Sequence, residues 1–308
     1  RKEEDKVEII SGMYNGFTSG APICMLIWNQ DQDSGPYELI KTKPRPGHAD
    51  YQAMVKYGGF ADYRGGGRFS GRLTATLVMA GSVAQKLLQY SLGIETIAYT
   101  KEIGGITAES IDLMEAKKNR YTNDVRCPDI AKAEKMKAAI IEARRDGDSL
   151  GGIIECISTG LPVGLGEPIF ASLESDLSKA LFSIPAVKAV EFGSGFNGTK
   201  SRGSENNDRY IKQEGRIITT TNNSGGILGG LSSGMPLVIR IGFKPASSIA
   251  KSQRTVDLLT GAQIDLNVPG RHDPCVVPRA PPIIECVVSM VLTDHALRGG
   301  FIPPVLNR

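Results

Sequence analysis

The 308-residue sequence predicts an α/β protein built as one interleaved domain. Three observations favour this fold class. Segments with strand patterns alternate with segments of helical spacing, strand patterns stand near both ends, and no Pro/Ser-rich linker interrupts the series. A chain of this length can also bury a substantial core in one large domain. We therefore expect a single domain over residues 1–308.

The predicted elements begin with two strands and a long helix. Residues 6–10 and 21–28 have strand patterns, with a turn-rich segment between them. Residues 72–90 place leucine and alanine at helical spacing, and Gly93 follows as a helix stop. Ser70 stands where an N-cap would be, so the glycine-rich loop before it is predicted to enter a helix N-terminus. Free N–H groups and the helix dipole favour anion binding at such an end.

The later elements repeat the alternation. Helices are predicted over residues 128–145, 168–184 and 282–297, and strands over residues 150–158, 187–192 and 237–243. A polar segment rich in Gly, Asn and Ser, residues 193–208, has the length of a functional loop. A second glycine-rich stretch, residues 224–236, leads into the strand over residues 237–243.

Composition and charge exclude several function classes. The net charge of +3 is small, and Lys and Arg are mixed with Asp and Glu, which argues against a nucleic-acid partner. The longest apolar run is far shorter than the roughly 18 residues of a membrane span, so no membrane partner is expected. Five scattered cysteines without a CxxC pair predict reduced thiols, a cytoplasmic location and no metal site.

The densest group of functional residue types lies between Arg45 and Ser70. His48 is one of three histidines, and it stands close in sequence to Arg45 and Asp50. A lone histidine near glycine is usually structural or solvated. A carboxylate partner such as Asp50, however, can fix the histidine tautomer and favour its protonated form. We therefore interpret His48 as a candidate proton donor.

Two further segments have the composition of anion-binding loops. Three glycines, residues 65–67, stand before Arg68, but they fit neither the Walker A nor the dinucleotide pattern, and such triplets are often mobile turns. The flanking arginines favour anion binding instead. Residues 244–249 leave a strand with a lysine, a proline and two serines. They form either a plain turn or a contact set for a phosphate or an isoalloxazine ring.

Asp273 follows Arg271 and His272 and precedes a proline. An Asp before Pro commonly starts a turn. The same Asp beside Arg and His could equally serve as a proton relay. His295 lies inside the last predicted helix, where it is interpreted as a packing or interface residue.

Taken together, these motifs closely resemble the chorismate synthase family from Val7 to about Leu297. The resemblance depends on an ordered series: RPGHADY, KYG, RGGGRFSGR, GEPIF, SIPAVK, GSENND, GGILGGLSSGMP, FKPASSI and GRHDPC. It implies a β-α-β sandwich, with helices between antiparallel sheets, usually assembled as a homotetramer. This differs from the doubly wound sheet that alternation alone would suggest.

The resemblance also implies an activity. The substrate would be 5-enolpyruvylshikimate 3-phosphate, and a 1,4-elimination of phosphate would give chorismate, the last step of the shikimate pathway. Reduced FMN would be the cofactor, although the overall reaction is redox-neutral. The chain shows no nicotinamide-binding fingerprint, so an external source would have to supply the reduced flavin.

The site residues follow from matching motif positions. His48 and Asp273 match catalytic residues of the family, acting on protons at the reduced flavin. Arg45 is a predicted substrate-binding residue. The positions that match FMN contacts are Arg68, Ser70, Pro185, Ala186, Gly229, Lys244, Pro245, Ala246, Ser247, Ser248 and Arg271.

One family motif is absent from the sequence. The family carries a second catalytic histidine in an N-terminal GESHG segment, whereas the histidines here are His48, His272 and His295. We therefore expect an N-terminally truncated chain with reduced or no activity. The alternative function is an inactive truncated paralogue that retains FMN binding and oligomer surfaces. A flavoprotein oxidoreductase that consumes NAD(P)H is a third, weaker hypothesis.

Overall fold

The computed structural model describes residues 5–30, 33, 35–38, 40–109, 111–268, 270 and 272–306. Their contacts group into two compact units. The first comprises Arg1–Ser70 with Arg254–Ile264, and the second comprises Gly71–Gln253 with Asp265–Arg308. The single domain over residues 1–308 stays a prediction.

The elements are named in chain order. The strands are β1 Val7–Ser11, β2 Met13–Tyr14, β3 Phe17–Thr18, β4 Cys24–Ile27, β5 Glu95–Ile103, β6 Ile106–Thr107, β7 Gly152–Thr159, β8 Val187–Phe192, β9 Tyr210–Gln213, β10 Arg216–Thr219, β11 Ile227–Leu228, β12 Leu231–Ser232, β13 Leu237–Phe243, β14 Gln253–Val256 and β15 Gln263–Leu266. The α-helices are α1 Gly35–Glu38, α2 Asp50–Lys56, α3 Thr74–Leu92, α4 Leu113–Asn119, α5 Ile130–Arg145, α6 Leu173–Leu181, α7 Gly195–Gly198, α8 Gly203–Asn206 and α9 Ala280–Arg298.

The second unit is built on a five-stranded sheet in the order β6-β5-β7-β13-β8. Strand β13 pairs antiparallel with β7 on one side and with β8 on the other. Its residues alternate between buried and half-buried, and Ile239, Ile241 and Phe243 belong to the core. This combination of helices with antiparallel pairing confirms the predicted α/β fold class.

Helix α9 is the central helix of this unit, and it packs against α3, α6, β5 and β7. Among the described residues, Val277–Arg298 is the one segment with the length and hydropathy of a membrane span, and 67% of its apolar window is buried inside the unit. Such burial is also typical of a core helix. The close approach of α9 to α3 depends on Gly81, which is buried against Cys286.

Replacing Gly81 by Ala is expected to lower the free energy of unfolding by about 1–3 kcal/mol. The new Cβ would lie 2.5 Å from Cys286 Cα, so the two helices would have to separate. The higher helix propensity of Ala offsets only about 1 kcal/mol of this cost. Urea denaturation measures the change, with Gly71→Ala as control because nothing lies within 4 Å of a Cβ there. Equal stability of Gly81→Ala and the parent chain would contradict the prediction.

Two predicted helix boundaries are wrong. Ser70 does not cap α3: it is extended, with ψ of 135°, and a 3₁₀ turn, Gly71–Leu73, separates it from the helix. The predicted helix over residues 168–184 is shorter, because Ile169 has a φ of +64° and cannot continue a helix. Ser172 then caps α6 by accepting a hydrogen bond from the Ser175 N–H at 3.2 Å.

The first unit contains short elements joined by hydrogen bonds. Strands β1 and β4, which lie within the predicted strand segments 6–10 and 21–28 to within one residue, form an antiparallel pair. Residues 254–264 return to the segment before His48: Leu258 N–H donates to the Thr42 carbonyl at 2.9 Å, and the Thr255 hydroxyl donates to the Pro44 carbonyl at 2.6 Å. These contacts fix the backbone that leads into Arg45.

Candidate functional site

In the first unit, His48 lies in a cluster with Arg45 and Asp50. The His48 Nδ1 atom lies 2.6 Å from Asp50 Oδ1. Arg45 donates to the same carboxylate through Nε at 2.7 Å and through a terminal nitrogen at 2.8 Å, a bidentate arrangement. The Arg45 backbone N–H adds a third hydrogen bond at 3.0 Å. Asp50 was predicted from the sequence as the carboxylate partner of His48, and this contact confirms it.

The charges of this cluster keep Asp50 ionised. Burial raises the pKa of the Asp50 carboxyl, but the hydrogen bonds and charges of Arg45 and His48 lower that pKa by more, so it lies well below its usual range. An ionised Asp50 accepts the Nδ1–H of His48 and leaves the other ring nitrogen, Nε2, to hold or transfer a proton.

Arg45 is buried, unlike an arginine that is freely accessible to an anionic ligand. Its side chain is 8% exposed, and both donors on one edge of its guanidinium face Asp50. A terminal nitrogen of Arg45 also lies 3.1 Å from His48 Nδ1 and 3.3 Å from His48 Nε2. The substrate contact of Arg45 stays a prediction. In the structure, its guanidinium orients the Asp50 carboxylate and the His48 ring.

The glycine triplet, residues 65–67, forms a tight kinked turn whose backbone is not helical. All three glycines have positive φ, and a Cβ at Gly67 would collide with the carbonyl of Asp62. The turn carries Arg68 with its side chain exposed and ends at the half-buried Ser70. Arg68 and Ser70, two predicted FMN contacts, therefore follow a turn whose backbone conformation only glycine can adopt.

In the second unit, several predicted FMN contacts meet at one end of the sheet. Ala186 precedes β8 with a φ of +71°, and its carbonyl accepts the Lys244 N–H at 2.9 Å where β13 ends. The Ala246 carbonyl accepts a hydrogen bond from the Ser149 hydroxyl at 2.7 Å. Pro185 and residues 244–248 are thus neighbours, although they are far apart in sequence.

The same end of the sheet holds Asp273. Leu150 N–H donates to the Pro274 carbonyl at 2.7 Å, which connects the segment after α5 to the Asp273 turn. The Asp273 carboxylate pairs with Arg279 Nε at 2.7 Å. Residues 147–151 therefore join two predicted parts of the site, a role that the sequence analysis did not assign. Gly147 and Gly151, at the two ends of this segment, are the sequence feature that could have indicated this role.

Other predicted contacts are not brought together. Gly229 lies in the β11–β12 hairpin, beside the start of α6, where Leu173 N–H donates to the Gly230 carbonyl at 3.1 Å. That is the end of the sheet where β13 begins, whereas Lys244 follows the end of β13, about 20 Å away at ~3.3 Å per residue. Arg271 lies outside the described residues. His48, Arg45, Arg68 and Ser70 belong to the first unit, and the remaining predicted site residues belong to the second.

A cleft of about 480 Å³ adjoins Lys244 in the second unit. Its walls include Lys188, Phe243 and Pro245 together with five glycines: Gly104, Gly105, Gly151, Gly152 and Gly242. A Cβ at Gly151 would lie 3.0 Å from Pro245 Cδ, so a side chain there would displace the wall. Lysines beside an apolar floor without side chains fit a flavin nucleotide, which combines a phosphate with a flat ring.

Lys188 lies on the wall of this cleft and was not predicted from the sequence as a site residue. It is the last residue of the motif SIPAVK. The motif alone does not show that Lys188 lies near Lys244, whereas the pairing of β8 with β13 does. Burial and the neighbouring charge of Lys188 lower the pKa of Lys244. Among the described residues, no group of three or more His, Cys, Asp or Glu side chains is placed to hold a metal ion.

Comparisons with known proteins give one consistent family. A sequence profile of the family described as chorismate synthase matches residues 1–297. A chorismate synthase of Dehalococcoides mccartyi (strain BAV1) is 54% identical over 308 residues, which is 100% of this chain and 84% of that protein. The chorismate synthase of Korarchaeum cryptofilum is 54% identical over 97% of this chain and 82% of its own length.

The fold comparison agrees with the sequence comparisons. A crystal structure of chorismate synthase superposes with a TM-score of 0.75 and 28% sequence identity. The match covers 95% of this chain and 78% of that one.

Proposed function

The chain belongs to the chorismate synthase family, and on this basis we propose that it is an FMN-dependent lyase. The reaction converts 5-enolpyruvylshikimate 3-phosphate to chorismate and phosphate. It is a 1,4-elimination, in which the C3–O bond to phosphate breaks and a hydrogen leaves C6. The observation that supports this most is the ordering of His48 by Asp50 at 2.6 Å, within a motif the family uses for proton transfer.

The residues of the chain have distinct tasks in this proposal. Bound reduced FMN supplies electron density to the substrate and recovers it, so that no net oxidation occurs. His48 holds or transfers a proton at Nε2, and Asp50 keeps its ring in the Nδ1–H tautomer. Asp273 accepts a proton near the flavin. Arg68, Ser70 and residues 244–248 supply hydrogen-bond donors for anionic groups.

The proposal extends to assembly and location. We place the protein in the cytoplasm as a homotetramer that receives reduced flavin from an external source. All five cysteines are free, which suits a reducing compartment.

Anaerobic turnover of the 308-residue chain tests the proposed function. The assay contains reduced FMN and 5-enolpyruvylshikimate 3-phosphate, and chorismate is measured by its absorbance. We expect chorismate from the parent chain at a reduced rate, because the GESHG histidine is absent from the sequence, and a further loss of about 100-fold or more in His48→Ala. Flavin binding without turnover would instead support the inactive paralogue, and flavin-dependent NAD(P)H consumption would support an oxidoreductase. Absence of both binding and turnover would reject the proposal.

A further inference from the structure

Lys188 occupies an irregular position in the sheet. Strand β8 pairs with β13 so that Ala189 faces Gly242, whereas Val187 faces Phe243. Two adjacent partners on β13 therefore correspond to three residues on β8, and Lys188 is the extra one. Such a β-bulge bends the strand and turns a side chain away from its regular alternation. Here the extra residue is a lysine on the wall of the cleft beside Lys244.

The surroundings of Lys188 favour an anion of some size. The cleft of about 480 Å³ has room for more than a simple ion, and glycine supplies much of its floor. The carboxylate on its wall, Glu102, already accepts a hydrogen bond from the Thr107 hydroxyl at 2.6 Å. Two ammonium groups share the cleft and repel each other, and the effect of Lys188 on the pKa of Lys244 reflects that repulsion. A ligand with two negative charges would relieve it.

We propose that Lys188 and Lys244 together bind the phosphate monoester of a ligand in this glycine-floored cleft. Near neutral pH, a phosphate monoester carries about 1.5 to 2 negative charges and three acceptor oxygens, which match two ammonium donors. The proposed function offers two ligands with this group, FMN and the phosphorylated substrate. The inference rests on the proposed function only for the identity of the ligand. The assignment of Lys188 depends on the bulge and the cleft.

Binding of FMN and riboflavin to the full chain tests this assignment. The two flavins differ by the phosphate alone, and fluorescence quenching measures both. We expect Lys188→Gln to weaken FMN binding by about 10-fold or more and to leave riboflavin binding unchanged, because only FMN loses a charge-assisted contact. Lys212→Gln is the matched control, since Lys212 is an exposed lysine on strand β9. Equal unfolding midpoints for both variants establish that the fold is intact.

Calorimetric titration with 5-enolpyruvylshikimate 3-phosphate separates the two sources of phosphate. Weakening of substrate binding alone by Lys188→Gln would keep the phosphate site and assign it to the substrate. Unchanged binding of FMN and substrate would overturn the inference.

A measurement that does not depend on flavin distinguishes failure of the phosphate site from failure of the proposed function. Trace acetylation with acetic anhydride, read by peptide mass spectrometry, reports the reactivity of each lysine with and without inorganic phosphate. We expect phosphate to protect Lys188 and Lys244 and to leave Lys212 unprotected. A parent chain that binds no FMN but shows this protection would reject the proposed function and keep the phosphate site. A lack of protection in such a chain would overturn the site as well.

Discussion

Replacing Asp50 by Asn is expected to lower kcat for chorismate formation about 100- to 10,000-fold, the range over which a positioned acid or base contributes. The variant keeps the size of the side chain but removes the charge that accepts the His48 Nδ1–H at 2.6 Å. An amide can present its NH₂ group to Nδ1 and so favour the opposite ring tautomer. Arg45 would also lose its bidentate partner. Anaerobic kinetics with reduced FMN measure the change.

The urea unfolding midpoint distinguishes positioning from simple loss of structure. Asp50→Asn is expected to remain folded under the assay conditions while kcat falls, whereas loss of structure would lower the folded fraction and kcat together. Asp124→Asn is the control, because Asp124 is an exposed carboxylate that pairs only with Lys137 at 2.7 Å among the described residues. A parental kcat in Asp50→Asn would contradict the assigned role.

The strands that lie against the core on one face could be predicted from the sequence. Strands β8 and β13 have the predicted bounds, and in β13 the alternation of buried and half-buried residues follows the pleat of the sheet. Strand β5 was not predicted, although it lies inside the same sheet. Its residues Ile97, Ala98, Tyr99 and Thr100 are all buried, since α4 covers the face opposite α9. Burial on both faces removes the period of two that marks a strand.

The site shows the same division between local and long-range information. The His48–Asp50 contact spans two positions in sequence, so the motif itself indicated it. Lys188 acquires its place from a register shift between β8 and β13, and Ser149 meets Ala246 across 97 positions. No single motif contains such pairings. Ser70 was assigned wrongly as an N-cap because a 3₁₀ turn, which the sequence pattern does not reveal, follows the glycine loop.

Glu285 is a buried carboxylate outside the proposed chemistry. It lies on α9 with 7% of its surface exposed, and its Oε1 accepts the Ala98 N–H on strand β5 at 2.7 Å. Arg120 lies 3.4 Å from the same oxygen, and its Nε and one terminal nitrogen are buried with no hydrogen-bond partner among the described residues. Burial raises the pKa of Glu285, and the Arg120 charge lowers it by less. The carboxylate thus satisfies a strand N–H and compensates the Arg120 cation, which also lies 4.9 Å from the centre of the Tyr121 ring.

Replacing Glu285 by Ala is expected to lower the free energy of unfolding by about 3–5 kcal/mol, the cost of leaving a buried charge without its partner. Glu142→Ala, on the exposed face of α5, is expected to change the free energy of unfolding by about 0.5 kcal/mol or less.

Glu285→Gln keeps an acceptor for the Ala98 N–H and removes the titration. Because the folded state raises the pKa of Glu285, folding favours its protonated form. The stability of the parent chain relative to Glu285→Gln should therefore fall as pH rises from the ordinary carboxyl pKa through the raised value.

Urea denaturation at a series of pH values measures both effects on Glu285. Removal of the side chain deprives the Ala98 N–H and the Arg120 guanidinium of the same oxygen, so the loss in Glu285→Ala should exceed that in Glu285→Gln. A loss below about 1 kcal/mol in Glu285→Ala would mean that water replaces the carboxylate at both groups. A pH-independent difference between the parent chain and Glu285→Gln would mean that Glu285 has the same pKa in the folded and unfolded states. Either result would remove the argument that α9 is fixed to β5 through a charge.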